Sequence, residues 1–133
     1  VVSAEDVAAA RGFLRQGNEV NQMMKVVGAE GTTLDDFIVY LKGEFVDNAY
    51  LQQDAYHEVD AATPAERQKH VFARLAKILR TKMKFENKDA ARRFFQRLTQ
   101  LFKDWNREAM AAPGFKELES RVEKMVAEVT DYA

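Results

Sequence analysis

With 133 residues, 47% of them apolar and 31% charged, the chain fits one folded domain with its own core, and the composition argues against disorder. The absence of cysteine excludes disulfides, zinc–cysteine sites and iron–sulfur clusters, and a formal net charge of −1 speaks against a free-standing nucleic-acid binder, which needs a basic face. No apolar run approaches a membrane span and no signal peptide opens the chain; it begins Val1-Val2 without an initiator methionine, so it is read as a processed product or, preferably, a fragment.

Two prolines leave room for long helices, and both sit where helices begin or end. Ser3 is a plausible N-cap for a first helix running to about Val27. Val20, Met23, Met24 and Val27 give its second half the i, i+3, i+4, i+7 pattern. Gly12 and Gly17 weaken its first half. Gly28-Ala29-Glu30-Gly31 breaks the helix. Thr33 then caps a second one, with Asp36 at the capping-box position and Leu34, Ile38, Leu41 and Phe45 as the stripe. The two helices form a hairpin with a glycine-bearing tip.

After Leu51 the periodicity lapses, and Gln52 to Asp60 reads as an ordered loop. Thr63-Pro64-Ala65-Glu66 is a helix start: N-cap, proline at the first helical position, glutamate three residues after the cap. The third helix carries Val71, Leu75, Ile78, Lys82 and Phe85 on one face, with the Lys82 stem lying along it. Asn87 caps a fourth helix with the stripe Phe94, Leu98, Leu101, Phe102 and Trp105. Ala112-Pro113-Gly114 breaks it, and Phe115, Leu118, Val122, Met125 and Val129 define a fifth. No segment alternates like a half-buried strand. The expected fold is all-α: an antiparallel helical bundle of about five helices, with an ordered loop between the second and third.

Chemistry-bearing residues are sparse. His57 and His70 match no metal spacing and read as surface or capping residues. Adjacent Asp35 and Asp36 point about 100° apart on a helix, and complementing the helix dipole accounts for them. Glu58 and Asp60 could share a face, but no surrounding groove is evident. There is no phosphate-binding glycine loop and no nucleophile elbow. Arg92-Arg93 and Lys82–Lys84 read as a solvated face, and the Phe94–Trp105 stripe as core. Tyr50 and Tyr56 are bulky aromatics bracketing a segment with little periodicity. They either pack on their own bundle or present a stacking face to a partner or flat ligand.

At this segment the chain resembles a known family. Tyr50-Leu51-Gln52-Gln53-Asp54-Ala55-Tyr56-His57-Glu58-Val59-Asp60 is similar to the FLQQ-AF-EVD segment near the C-terminus of the catalytic A subunit of V-type and A-type rotary ATPases. Asn21 to Gly28 resembles that family's helix ending in a V-G turn. Thr33-Leu34-Asp35-Asp36 resembles the start of its next helix, and Pro64-Ala65-Glu66-Arg67-Gln68 its P-E-K-Q start. The match is specific from about residue 18 to 69. Tyr50 and Tyr56 stand where phenylalanine is common, Asp54 where a small polar residue is usual, and Ala61-Ala62 replace Thr-Tyr.

The resemblance implies that residues 1–133 form a single C-terminal domain of a larger, ion-translocating catalytic subunit. The ATP or ADP, its Mg and the catalytic carboxylate would lie in an upstream nucleotide-binding domain outside this chain. No catalytic residue, metal site or cofactor is expected here, and no ATP hydrolysis by this chain alone. Tyr56, with Gln53 and Ala55, would line the adenine pocket. The hairpin tip, with Gly28, Glu30, Gly31, Asp35 and Asp36, would face the central stalk. The implied partners are the upstream domain, the B subunit and the central-stalk subunit, with no nucleic acid and no direct membrane insertion. The implied location is cytoplasmic, peripheral to the membrane. A stand-alone helical module that binds another helix in a groove is the competing reading. A nucleic-acid-binding bundle is a third, and it requires a basic face.

Overall fold

The computed structural model describes residues 3–51, 64–108 and 110–132. Among them are five helices: α1 (Ala4–Val27), α2 (Leu34–Val46), α3 (Pro64–Arg80), α4 (Lys88–Trp105) and α5 (Pro113–Val129). The fold is all-α, as expected.

The helix starts follow the local chemistry. Ser3 accepts a hydrogen bond from the Glu5 amide at 3.2 Å, Thr33 from Asp36 at 3.1 Å and Asn87 from Ala90 at 2.8 Å. Each satisfies an amide that the first turn leaves without an intrahelical partner. The expected Thr63 cap lies outside the described residues. α2 continues into a π-helical turn, Asp47–Leu51, before the segment 52–63.

Two helix ends differ from the sequence expectation. α3 stops at Arg80, so Lys82 and Phe85 do not continue its stripe. Instead, the linker after α3 pairs antiparallel with the end of the chain. The Lys84 amide donates to Val129 O at 2.9 Å and the Asp131 amide to Lys82 O at 2.8 Å. In this short extended stretch Met83 turns inward. The Lys82 side chain is 79% exposed, with Nζ 3.9 Å from Asp131. Phe85 packs half-buried against Phe94. α4 ends at Trp105, well before Pro113. That proline opens α5, where its fixed φ and missing N–H cost nothing.

The core centres on α4, which buries Ala91, Phe94, Phe95, Leu98, Phe102 and Trp105. Phe102 meets Phe45 of α2 edge-on at 5.0 Å and Trp105 at 5.3 Å, and Trp105 lies 5.2 Å from Phe115 of α5. α1 attaches differently. A Cβ placed on Gly43 would come within 2.8 Å of Phe13 O, and one on Gly17 within 3.2 Å of the Gly43 Cα. Gly17, a weak helix former by sequence, is thus where the backbones of α1 and α2 approach each other.

Candidate functional site

Three places combine order with unusual chemistry: the hairpin tip, the base of the hairpin, and a junction at the end of α4.

The tip is held by its own polar groups. Gly28 adopts φ +78°, a conformation that side chains rarely adopt, and its amide closes α1 on Met24 O at 2.8 Å. A 3-10 turn, Ala29–Gly31, follows. Buried Thr32 donates its hydroxyl to Gly28 O at 3.1 Å, and Lys88 of α4 reaches Ala29 O at 2.6 Å. Gly28, Glu30, Gly31 and Asp35 are exposed here, with Asp36 half-buried beside them. The sequence reading missed the apolar part. Of the stripe Val20, Met23, Met24 and Val27, only Val20 and Met24 turn inward. Met23 and Val27 face solvent together with Val26, which is 85% exposed. Spaced i, i+3 and i+4, these three form one outward apolar face on the last turn of α1.

At the hairpin base, Lys42 of α2 is buried, a feature with no sequence signal. Its Nζ donates to Leu79 O at 2.9 Å and Thr81 O at 2.8 Å, and it lies 5.2 Å from the Phe13 ring centroid. The carbonyls ending α3 lack intrahelical donors, and this side chain supplies them. Burial lowers the Lys42 pKa to about 8.

The third place is Asn106, directly after α4. Its side-chain amide donates to Ala49 O at 3.1 Å, and its backbone carbonyl accepts from the buried Arg67 guanidinium. Nearby, His70 of α3 is not a simple surface residue. Its Nε2 lies 2.7 Å from Glu119 Oε2 of α5, and its ring sits 6.1 Å from Trp105. Arg74 extends this link to Glu119 and Glu123. Arg92 pairs with Asp89 and lies over Phe37, consistent with a solvated face.

Tyr56, Gln53 and Ala55, together with His57, Glu58 and Asp60, lie outside the described residues. Among the described residues no three His, Asp or Glu side chains gather as metal ligands, and no helix is long and apolar enough to cross a membrane.

Residues 6–92 match the family described as the C-terminal domain of V and A type ATP synthase. The chain belongs to that family. It is 47% identical over 131 residues to the V-type ATP synthase alpha chain of Treponema denticola, covering 98% of this chain and 22% of the relative. It is 48% identical over 122 residues to alpha chain 1 of Treponema pallidum, covering 92% and 21%. It is 47% identical over 126 residues to the alpha chain of Borrelia duttonii, covering 95% and 22%. The chain therefore spans about a fifth of the length of these relatives. No solved structure matches it. The family match takes in both the α1–α2 hairpin and the segment 52–63, the two regions singled out by sequence.

Proposed function

We propose that this V/A-type domain couples nucleotide binding in its parent A subunit to movement of the central stalk. The supporting observation is the family match over residues 6–92, which joins the tyrosine-bearing segment and the hairpin in one unit. Tyr56, Gln53 and Ala55 line the adenine side of a site whose phosphate loop, Mg and catalytic carboxylate belong to the upstream domain. The parent subunit hydrolyses or synthesises ATP next to the B subunit, peripheral to the membrane on its cytoplasmic side, and drives ion transport.

The physical logic is differential binding. Stacking a base on an aromatic ring is worth roughly 1–3 kcal/mol in single-strand binders. If the Tyr56 contact forms only in the closed state, that difference draws the domain inward. A rigid body then carries the motion to the tip as a hinged lever. The polar anchoring of the tip by Thr32 and Lys88 supports this reading, because a slack tip transmits no displacement. The outward face of Met23, Val26 and Val27 supplies the apolar surface for a stalk contact.

The test is Tyr56→Ala in the full-length subunit. Removing the stacking face should weaken ATP affinity by roughly 5- to 150-fold, the equivalent of the stacking range above. Unchanged affinity and turnover sink the adenine role.

A further inference from the structure

Two polar ties join α3 to α5. At one end, Arg74 of α3 donates to Glu123 at 2.7 Å and to Glu119 at 3.3 Å. At the other, the linker after α3 pairs with the chain end, with the Lys84 amide on Val129 O at 2.9 Å and the Asp131 amide on Lys82 O at 2.8 Å. Between the ties lies a groove of about 310 Å³. Ile78 and Val122, both buried, form its floor, and Val126 and Ala127 continue it along α5. On the α3 side it runs from Arg74 to Thr81, a length of roughly 10 Å at the helical rise per residue.

The shape limits what fits. Both ends are tied, so the groove takes a short body rather than a helix running along α3 and α5. Its volume falls at the lower end of the range of small-molecule sites. The polar groups of the lining limit the chemistry. Arg74 and Glu123 are paired with each other. The Thr81 and Thr130 hydroxyls are spent on their own helices, each donating at 2.7 Å, to Lys77 O and Val126 O. Two side-chain groups are left with no partner among the described residues: the Lys77 ammonium and the hydroxyl of Tyr132, which is 80% exposed. Both can donate, and one carries a positive charge. An apolar floor beside an unpaired cation complements an apolar body with one anionic acceptor group.

We propose that this groove binds a short aliphatic or aromatic carboxylate, with its body on Ile78, Val122 and Val126 and its anionic group at Lys77. The site goes beyond the nucleotide and stalk contacts and shares no residue with them.

The test uses the full-length subunit in its assembled complex, with the nucleotide sites saturated by Mg-ADP. The probes are octanoate, octan-1-ol and octylammonium, titrated by calorimetry. Octanoate should bind best, because the alcohol lacks the charge and the ammonium repels Lys77. Lys77→Glu should weaken octanoate about fivefold or more and strengthen octylammonium, while octan-1-ol stays within about twofold. Ala127→Trp fills the groove and should weaken all of the probes about tenfold or more. Both positions are exposed, so neither change hollows the core. Equal binding of the probes, or octanoate binding indifferent to both variants, marks adsorption to apolar surface and overturns the proposal. Absence of octanoate binding overturns it as well. If either variant instead prevents assembly, the groove is a contact between subunits and the carboxylate site is lost as an idea.

Discussion

α1 and α4 are both long helices with one face toward the bundle, yet they are held by opposite means. α4 buries six side chains, four of them aromatic, and its neighbours wrap around those rings. α1 is longer, yet only Ala10 and Gly17 are buried on it. Val7, Phe13, Leu14 and Met24 pack half-buried against the core, and the backbones of α1 and α2 approach most closely where Gly17 and Gly43 lack side chains. The contrast shows that one helical layer resists removal of atoms and the other resists their addition. α4 forms the fixed centre of the bundle, and α1 extends beyond the core to the hairpin tip.

The largest effect should come from hollowing the α4 side. Phe102 is fully buried between Phe45 and Trp105. Phe102→Ala should cost about 3–5 kcal/mol, from lost burial plus the cavity left behind, read as a lower urea midpoint. A loss below 1 kcal/mol would show that the aromatic cluster is loosely packed.

The α1–α2 crossing should respond to the reverse change. A Cβ at Gly43 meets the Phe13 carbonyl oxygen at 2.8 Å, which backbone cannot easily yield. Gly43→Ala should therefore destabilise by about 1–3 kcal/mol, despite the better helix propensity of alanine. At Gly12 of the same helix α1 an added Cβ meets nothing within 4 Å. Gly12→Ala should stabilise by about 0.5–1 kcal/mol. Thermal unfolding of the two variants should move in opposite directions. A shift of the same sign in both would break the distinction.

A further effect is graded by pH and sharpens how the hairpin joins the body. Burial lowers Lys42 from 10.5 to about 8. Between those values the unfolded chain binds the proton that the folded chain has released, so stability rises with pH across that window. The cost of burying the ammonium is present below pH 8. Even the neutral amine keeps two N–H donors for Leu79 O and Thr81 O. One proton limits the slope to about 1.4 kcal/mol per pH unit. Urea unfolding of the chain and of Lys42→Met, compared between pH 7.5 and 10.5, should show this slope in the first and not in the second. Parallel curves would mean that Lys42 stays charged in the fold.

Sequence alone determined what is local. Ser3, Thr33 and Asn87 cap their helices as read, because a cap is a bond between a side chain and an amide two or three residues away. The apolar stripes of α2, α4 and α5 follow from a fixed helical period. The family is likewise legible in the segment around Tyr56, through side-chain identities in a row. Tertiary structure decided everything that depends on which elements meet. Lys42 looks like any surface lysine until the end of α3 offers it two carbonyls. Gly17 looks like a weak point until Gly43 lies against it. Asn106 has no local signal, because its partners lie 57 and 39 residues away. Lys82 and Phe85 left the α3 stripe because the chain end captured the linker backbone. Periodicity cannot anticipate such events, since the energy of each comes from contacts that exist only once the helices have packed.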